Sequence, residues 1–345
     1  MINKITLDNF RLFNHLELNT SSSLIIIQGL NAMGKTSILE SIFLSSSLKS
    51  FRTSNITELI KDDKDYLKTV ISTGAEYKII ISKEEKAYFI NGEKIKKASS
   101  FIGNLKSVIV SPKDIDIIVG TKSIKRDFLD LSISLCDKEY LKYLFNYRHL
   151  LQERNDYLKK SNDKTYLNII TDNLINVIKI LSDKRIKFID RLNNNLSIIT
   201  KGLKINDINL EYKASYDLND IKKSFDNKIE YDYLTKTTNI GIHRDYFLIN
   251  YGGKDANKYA SEGEKRIIIT AIKLALKEDI KNVTGEDAVL LLDDVFASLD
   301  RNKISALVDY VKNTNQTFIS ATSLLEVPKE LLKSALVIKI NDKGD

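Results

Sequence analysis

Val289-Leu-Leu-Leu-Asp-Asp-Val-Phe-Ala-Ser-Leu-Asp300 decides the fold of this chain. Residues 289–292 form a continuous apolar run, the pattern of a strand buried on both faces. Two carboxylates, Asp293 and Asp294, stand where the C-terminal end of that strand emerges, and Ser298-Leu-Asp300 reads as a turn that starts the next helix. Far upstream, Gly29-Leu-Asn-Ala-Met-Gly-Lys-Thr36 matches the phosphate-loop pattern G-x-x-x-x-G-K-[ST] in full. The short apolar run Leu24–Gln28 enters this loop and residues 35–47 continue as a helix, the context such a loop requires. Between loop and acidic strand, Ser261-Glu-Gly-Glu-Lys-Arg266 opens another helical run.

These residue types suit phosphate chemistry. Gly29 and Gly34 permit backbone angles that let successive N–H groups converge on phosphate oxygens. Lys35 offers a point charge to the terminal phosphates, the Thr36 hydroxyl suits Mg²⁺, and the following helix points its positive dipole end at the same anions. The candidate nucleotide-binding set is Gly29, Leu30, Asn31, Ala32, Met33, Gly34, Lys35, Thr36 and Ser37. Asp293 is expected to join Thr36 on Mg²⁺, which favours oxygen ligands and keeps part of its water shell. Asp294 is placed to orient or activate an attacking water. Lys35, Asp293 and Asp294 are thus the candidate catalytic residues; the plain alternative is an acidic pair capping a strand. Ser261 and Gly263 offer backbone N–H groups at a helix start that suit an anion, and on their own they describe an ordinary N-cap with acidic first-turn residues better.

The rest of the chain bounds the reading. Its 345 residues, 43% hydrophobic and 29% charged, make a globular protein of about two domains. No apolar run approaches the ~20 residues of a membrane-spanning helix, and the N-terminus lacks the basic start and apolar block of a secretory leader. A single cysteine, Cys136, and three scattered histidines offer no disulfide and no metal-ligand spacing. A cytoplasmic protein is expected. The net charge of +7 favours an anionic partner such as nucleic acid, although a Lys-, Asn- and Ile-rich composition raises the pI by itself. Lys94, Lys96, Lys97, Lys106, Lys113, Lys122, Lys125 and Arg126 form the densest basic run, a candidate for phosphate contacts without base readout or simply a solvated face.

Strands are expected at 2–8, 12–18, 24–28, 67–73, 77–82, 87–95 and 107–110, with a hairpin at Asn91-Gly92. From about 123 helical periodicity takes over: Leu174, Ile178, Leu181, Phe188 and Leu192 line one face of a long helix. The fold class expected is α/β with a mainly helical insertion. Residues 1–115 and 236–345 are assigned to the two parts of the head and 116–235 to the inserted lobe.

The order of these motifs resembles the ABC-type ATPase heads of the SMC and Rad50 group, and most closely the RecF family. Ser50-Phe-Arg-Thr53, Val110-Ser-Pro-Lys-Asp114, Lys125-Arg-Asp-Phe-Leu-Asp130, Tyr147-Arg-His-Leu-Leu-Gln-Glu-Arg-Asn155 and Gly241-Ile-His-Arg-Asp245 carry the likeness, which runs from Asn9-Phe10-Arg11 to Ser320-Ala-Thr322. The sequence departs from the pattern at several places. Ala32-Met33 replaces the usual Gly-Gln, Glu262 and Glu264 stand where Gly or Gln is common, Asp294 stands where many ABC heads carry Glu, and Thr322 sits at the transporter-type switch His. A weak, slow ATPase is the consistent expectation.

The resemblance implies a homodimer closing on two ATP molecules, each held between Lys35 and Thr36 of one copy and Ser261 and Gly263 of the other. It also implies binding to single- and double-stranded DNA at gaps, with RecO and RecR as partners in placing RecA. The alternatives are another SMC-like ATPase, a small-molecule P-loop phosphotransferase, and a DNA clamp that binds nucleotide without hydrolysing it. The first would need an appended metal domain or a much longer coiled coil, and the Ser261 signature argues against the second.

Overall fold

The computed structural model describes residues 1–160, 163–296 and 301–340, so the expected turn at Ser298–Asp300 lies outside the described residues. Its strands, in chain order, are β1 Lys4–Phe10, β2 Phe13–Asn19, β3 Leu24–Gln28, β4 Tyr66–Ser72, β5 Glu76–Ser82, β6 Lys86–Ile90, β7 Glu93–Lys94, β8 Ser107–Val110, β9 Ile208–Lys213, β10 Tyr246–Tyr251, β11 Lys254–Asp255, β12 Val289–Asp293, β13 Thr317–Ala321 and β14 Leu336–Lys339. Two compact units form: residues 1–115, 195–207 and 260–345 make the first, and 116–194 with 208–259 the second.

The first unit has two sheets. One is parallel, in the order β14-β3-β13-β12-β8, and the other is an antiparallel meander, β2-β1-β4-β5-β6-β7. Their burial follows from pattern. The strands β12 and β13 are buried at every residue, as apolar strands covered on both faces must be, whereas β4 and β5 alternate.

The helix Lys35–Ser47 touches strands of both sheets, β8, β12 and β13 on one side and β4 and β5 on the other. Apart from Thr36 it is buried throughout. Four of its five serines tolerate that position because they bond to their own helix: Ser41 to the Ile38 carbonyl, Ser45 to Ser41, and Ser46 and Ser47 to Phe43. Small hydroxyls satisfied this way leave no stranded polar group. The helix Glu262–Thr284 packs on β8 and on residues 112–115.

The second unit contains the helices Lys122–Ser134 and Lys138–Lys160, most of the helix Lys164–Leu203, and a small antiparallel sheet in the order β11-β10-β9. All five apolar residues named for the long helix, Leu174 to Leu192, are at most 1% exposed. The expected division of the chain needs correcting in two places. Residues 236–259 pack in the second unit, because β10 pairs with β9 along its whole length and buries Phe247 and Ile249 there. Residues 195–207 pack in the first, where Asn195 donates to the Ala275 carbonyl. No sequence signal at 208–213 or 336–339 had marked β9 or β14.

Candidate functional site

The parallel sheet brings the distant motifs to one edge. Adjacent parallel strands end at the same side, and Gln28 pairs with Ala321, Ile27 with Ser320, and Ser320 with Asp293. The loop after β3, the acidic pair after β12 and Thr322 after β13 therefore converge at the carboxyl ends of the strands, where open α/β sheets form their clefts. Thr36 Oγ1 donates a hydrogen bond of 2.9 Å to Asp293 Oδ1 across 257 positions of sequence. A cavity of about 450 Å³ opens there, lined by Asn31, Ala32, Gly34, Lys35, Thr36 and Ser37 of the loop and by Asp294.

Within the loop, Lys35 is buried and its Nζ donates to the Leu30 carbonyl at 3.0 Å. Leu30 itself points outward, 64% exposed, and Met33 closes a turn onto its carbonyl. Asn31 Oδ1 accepts from the Thr322 hydroxyl at 3.2 Å, so the residue at the switch-His position touches the loop. The two glycines have different reasons to be glycine. Gly34 has φ +93°, and a Cβ there would lie 2.5 Å from Phe13 Cζ. Gly29 has no left-handed backbone angle; a Cβ on it would meet the Ile340 carbonyl oxygen at 2.9 Å. The expectation of a permissive backbone angle at Gly29 is thus corrected to one of close approach. The loop's other left-handed residue is Ala32, at φ 67°.

Asp293 is buried and accepts from Ser320 Oγ at 2.7 Å as well as from Thr36. Burial raises its carboxyl above the ordinary value, those two hydrogen bonds oppose the rise, the neighbouring Asp294 adds to it, and the Arg52 guanidinium draws it down. Asp294 adopts a left-handed backbone, φ 49°, with its N–H held by Ser320 Oγ at 3.0 Å. Asp tolerates that region better than most residues, and strain at such a place is characteristic of functional sites.

Ser261 and Gly263 are exposed, and neither lines this cavity. Ser261 is the N-cap of the helix Glu262–Thr284 and forms a capping box with Glu264: its Oγ accepts from the Glu264 N–H, and the Glu264 carboxylate accepts from the Ser261 N–H at 2.8 Å. Those hydrogen bonds hold the Glu264 carboxyl below its usual range. In this structure the signature is a regular cap, presented outward.

Arg11 and Arg52, which belong to the motifs that carry the likeness, and Glu40 have no role assigned from sequence. Glu40 is fully buried and receives Arg11 in bidentate fashion, Nε and Nη2 each at 2.9 Å, with Arg52 Nη1 at 3.5 Å. Arg11 and Arg52 both line the cavity. A carboxylate in the apolar run Ile38-Leu-Glu-Ser-Ile42 was the signal available, since a charge in such a run must find a partner.

The basic run is not uniformly exposed. Lys106 is 10% exposed and paired with Glu286 at 2.6 Å, and Lys125 is 8% exposed with its ammonium pKa lowered by desolvation. Lys96, Lys97, Lys113 and Lys122 are exposed; Lys113 donates to the Arg52 carbonyl and Lys122 lies over the Tyr246 ring. The motifs at 125–130, 147–155 and 241–245 contribute to the interior of the second unit. Asp130 pairs with the buried Arg185 at 2.6 Å, Arg154 with Asp232 at 2.8 Å, and Tyr147 with His243 at 2.5 Å.

Comparison with known proteins agrees with this geometry. A family model described as RecF/RecN/SMC N terminal domain matches residues 1–331. The DNA replication and repair protein RecF of Acholeplasma laidlawii (strain PG-8A) is 37% identical over 324 residues, 93% of this chain and 93% of the relative. That of Bacillus subtilis (strain 168) is 31% identical, covering 99% of this chain and 98% of its own. Among solved structures, the recombination mediator RecF-ATP of the RecFOR pathway superposes with a TM-score of 0.88 at 30% identity, over 99% of this chain and 95% of that one. An Smc head domain from Pyrococcus furiosus bound to part of ScpA, at TM-score 0.53 and 16% identity over 99% and 94%, shares the fold. With an ABC-type ATPase head whose phosphate loop and acidic strand meet at one sheet edge, and with these similarities along nearly its whole length, the chain belongs to the RecF family of DNA replication and repair proteins.

Proposed function

We propose that this chain is an ATP-dependent DNA-binding protein of recombinational gap repair and replication restart. It dimerises on ATP, binds single- and double-stranded DNA including gap junctions, and works with RecO and RecR in loading RecA. Its ATP hydrolysis is slow, DNA-stimulated, and serves switching rather than metabolism. The observation that carries the reading is the Thr36–Asp293 hydrogen bond at the edge of the cavity formed by the loop. The names of the relatives, one of them an ATP complex in the RecFOR pathway, support it.

In this reading residues Gly29 to Ser37 cradle the phosphates and Lys35 exchanges its bond to the Leu30 carbonyl for phosphate oxygens. Thr36 and Asp293 present hard oxygen donors side by side, a set that fits Mg²⁺. Bound Mg²⁺ supplies charge neutralisation to the phosphates. Asp294, beside the loop and held by Ser320, is assigned to the attacking water.

Ser261 and Gly263 lie outside the cavity of their own chain, so they are assigned to the nucleotide of a second copy. ATP then acts as a dimerisation ligand through its preference for the closed pair. No helix among the described residues is long and apolar enough to cross a membrane, and the reading places the protein in the cytoplasm.

Oligomeric state and DNA affinity, measured with ATP, ADP or no nucleotide for wild type and Lys35→Met, test this. Dimers and DNA binding that require ATP and vanish in Lys35→Met are expected. A monomer whose DNA binding ignores nucleotide overturns the gated clamp.

A further inference from the structure

Glu40 is 0% exposed and carries no water-facing edge, yet it is the meeting point of three polar side chains. Arg11 closes on it with two hydrogen bonds, Ser50 Oγ donates to its Oε1, and Arg52 Nη1 approaches Oε2 at 3.5 Å. The two arginines differ in how committed they are. Arg11 uses Nε and Nη2 on Glu40 and Nη1 on the Glu58 carbonyl at 3.2 Å, and its side chain is 21% exposed. Arg52 is 42% exposed, and among the described residues its Nε and Nη2 make no hydrogen bond.

The backbone of Arg52 is fixed all the same. Its N–H donates to Ser50 Oγ at 2.9 Å, the Thr53 N–H donates to the same oxygen at 3.1 Å, and its carbonyl accepts from Lys113 Nζ at 2.7 Å. Ser50 thus joins the buried carboxylate to the turn that presents Arg52. Arg52 in turn lines the same cavity as Lys35, Thr36 and Asp294.

We propose that Glu40 is a positioning residue for nucleotide binding: with Arg11 and Ser50 it forms a rigid buried base on which the Arg52 guanidinium is seated, its free donors turned to the phosphates of the nucleotide. This rests on the nucleotide-binding reading above. The physical reason is orientation. An unheld arginine loses rotamer freedom when it grips a phosphate, whereas one already seated gives up less, and its fork geometry acts only if its plane is set. Glu40 partly neutralises the two guanidiniums, so a site selected for bare positive charge would not contain it. Helix and turn are linked as well, since Glu40 lies on the helix that begins with Lys35 and Thr36.

The test measures ATP affinity by calorimetry for wild type, Glu40→Gln, Arg52→Ala, the double variant, Ser50→Ala and Lys35→Met, with folding checked by thermal melting. Glu40→Gln is expected to weaken ATP binding about tenfold. The double variant should bind no more weakly than Arg52→Ala alone, because Glu40 acts through Arg52. Ser50→Ala, which leaves the buried charge pair in place, should weaken ATP binding by a smaller factor and stands in if Glu40→Gln fails to fold. A folded Glu40→Gln with wild-type affinity overturns the proposal, as does a loss that adds in full to that of Arg52→Ala, or, where Glu40→Gln does not fold, an unchanged Ser50→Ala. Wild type that binds no ATP, like Lys35→Met, overturns the parent reading itself; a binding-competent wild type with an insensitive Glu40 overturns only this one.

Discussion

Ser320 and Asp293 are register partners on adjacent parallel strands, and the Ser320 hydroxyl donates to the Asp293 carboxylate at 2.7 Å while accepting the Asp294 N–H at 3.0 Å. One small side chain therefore orients both members of the acidic pair. It does so from the strand that separates the loop strand from the acidic strand. Ser320 also explains how a non-glycine residue keeps a left-handed backbone at 294.

Asp293 is held for function against stability. Burial raises its pKa, so the folded protein binds the proton more readily than the unfolded chain does. Its contribution to stability then falls as pH rises from 3.8 through the raised folded value, and at neutral pH the bare carboxylate is a liability. Asp293→Asn keeps the shape and is expected to stabilise the nucleotide-free protein by about 1 kcal/mol while abolishing ATP hydrolysis. Calorimetric melting beside an ATPase assay checks both; a variant less stable than wild type would contradict the assignment.

Ala32 and Gly34 should respond in opposite directions. A left-handed Ala is strained by roughly 1–2 kcal/mol, so Ala32→Gly is expected to stabilise by somewhat under about 1 kcal/mol once the greater freedom of glycine in the unfolded chain is subtracted. Gly34→Ala adds a Cβ at φ +93° into contact with Phe13 and Leu12. It should destabilise by about 2–3 kcal/mol and lose nucleotide affinity. Equal signs in denaturant titrations of the two variants would refute the loop geometry.

His243 makes the second unit sensitive to mild acid. Its Nδ1 accepts from the Tyr147 hydroxyl and its Nε2 donates to the Thr238 carbonyl at 3.0 Å, so the ring is neutral in the fold. Desolvation lowers its pKa from 6.5 to about 4. Between those values the unfolded chain binds more protons than the folded one, so stability falls as pH drops from 6.5 and the loss is complete near 4. The full effect is on the order of 3 kcal/mol. Denaturant titrations between pH 7 and 5 should show a shallower decline for His243→Gln than for wild type.

Arg154 and Asp232 are both 0% exposed, 2.8 Å apart; Thr171 accepts from the guanidinium Nε at 2.9 Å and Thr238 from Nη1 at 2.7 Å, while Nη2 has no hydrogen-bond partner among the described residues. Asp232→Ala strands a buried cation and is expected to destabilise the second unit by about 3–5 kcal/mol. Hydrogen exchange read on the helix Lys138–Lys160 should show the loss; unchanged protection there would mean that the pair is dispensable.

Much of this protein is written in local pattern. Residues 289–293 and 24–28 are strands because uninterrupted apolar runs have only one way to be satisfied in an α/β sheet, and the loop announces itself because backbone cradling of phosphate needs Gly34 and a following helix. Leu174 to Leu192 likewise disclose a buried face through spacing alone. The strands β9 and β14 were not legible. Ile208–Lys213 and Leu336–Lys339 are short and only partly buried, and they become strands through partners, β10 in one case and β3 in the other.

The sequence by itself determined the phosphate loop, the acidic strand end and the capped signature helix, since each rests on residues close together in the chain, and the family, since its motifs stand in order along the chain. The tertiary structure alone decided that Thr36 meets Asp293, that Ser320 serves both acids, that Gly29 is glycine because of Ile340, and that Lys125 is interior rather than a surface cation. The reason is register. Parallel strands joined by long excursions align their ends through hydrogen bonding between backbones, and no local preference records which side chains that alignment brings within 3 Å of each other.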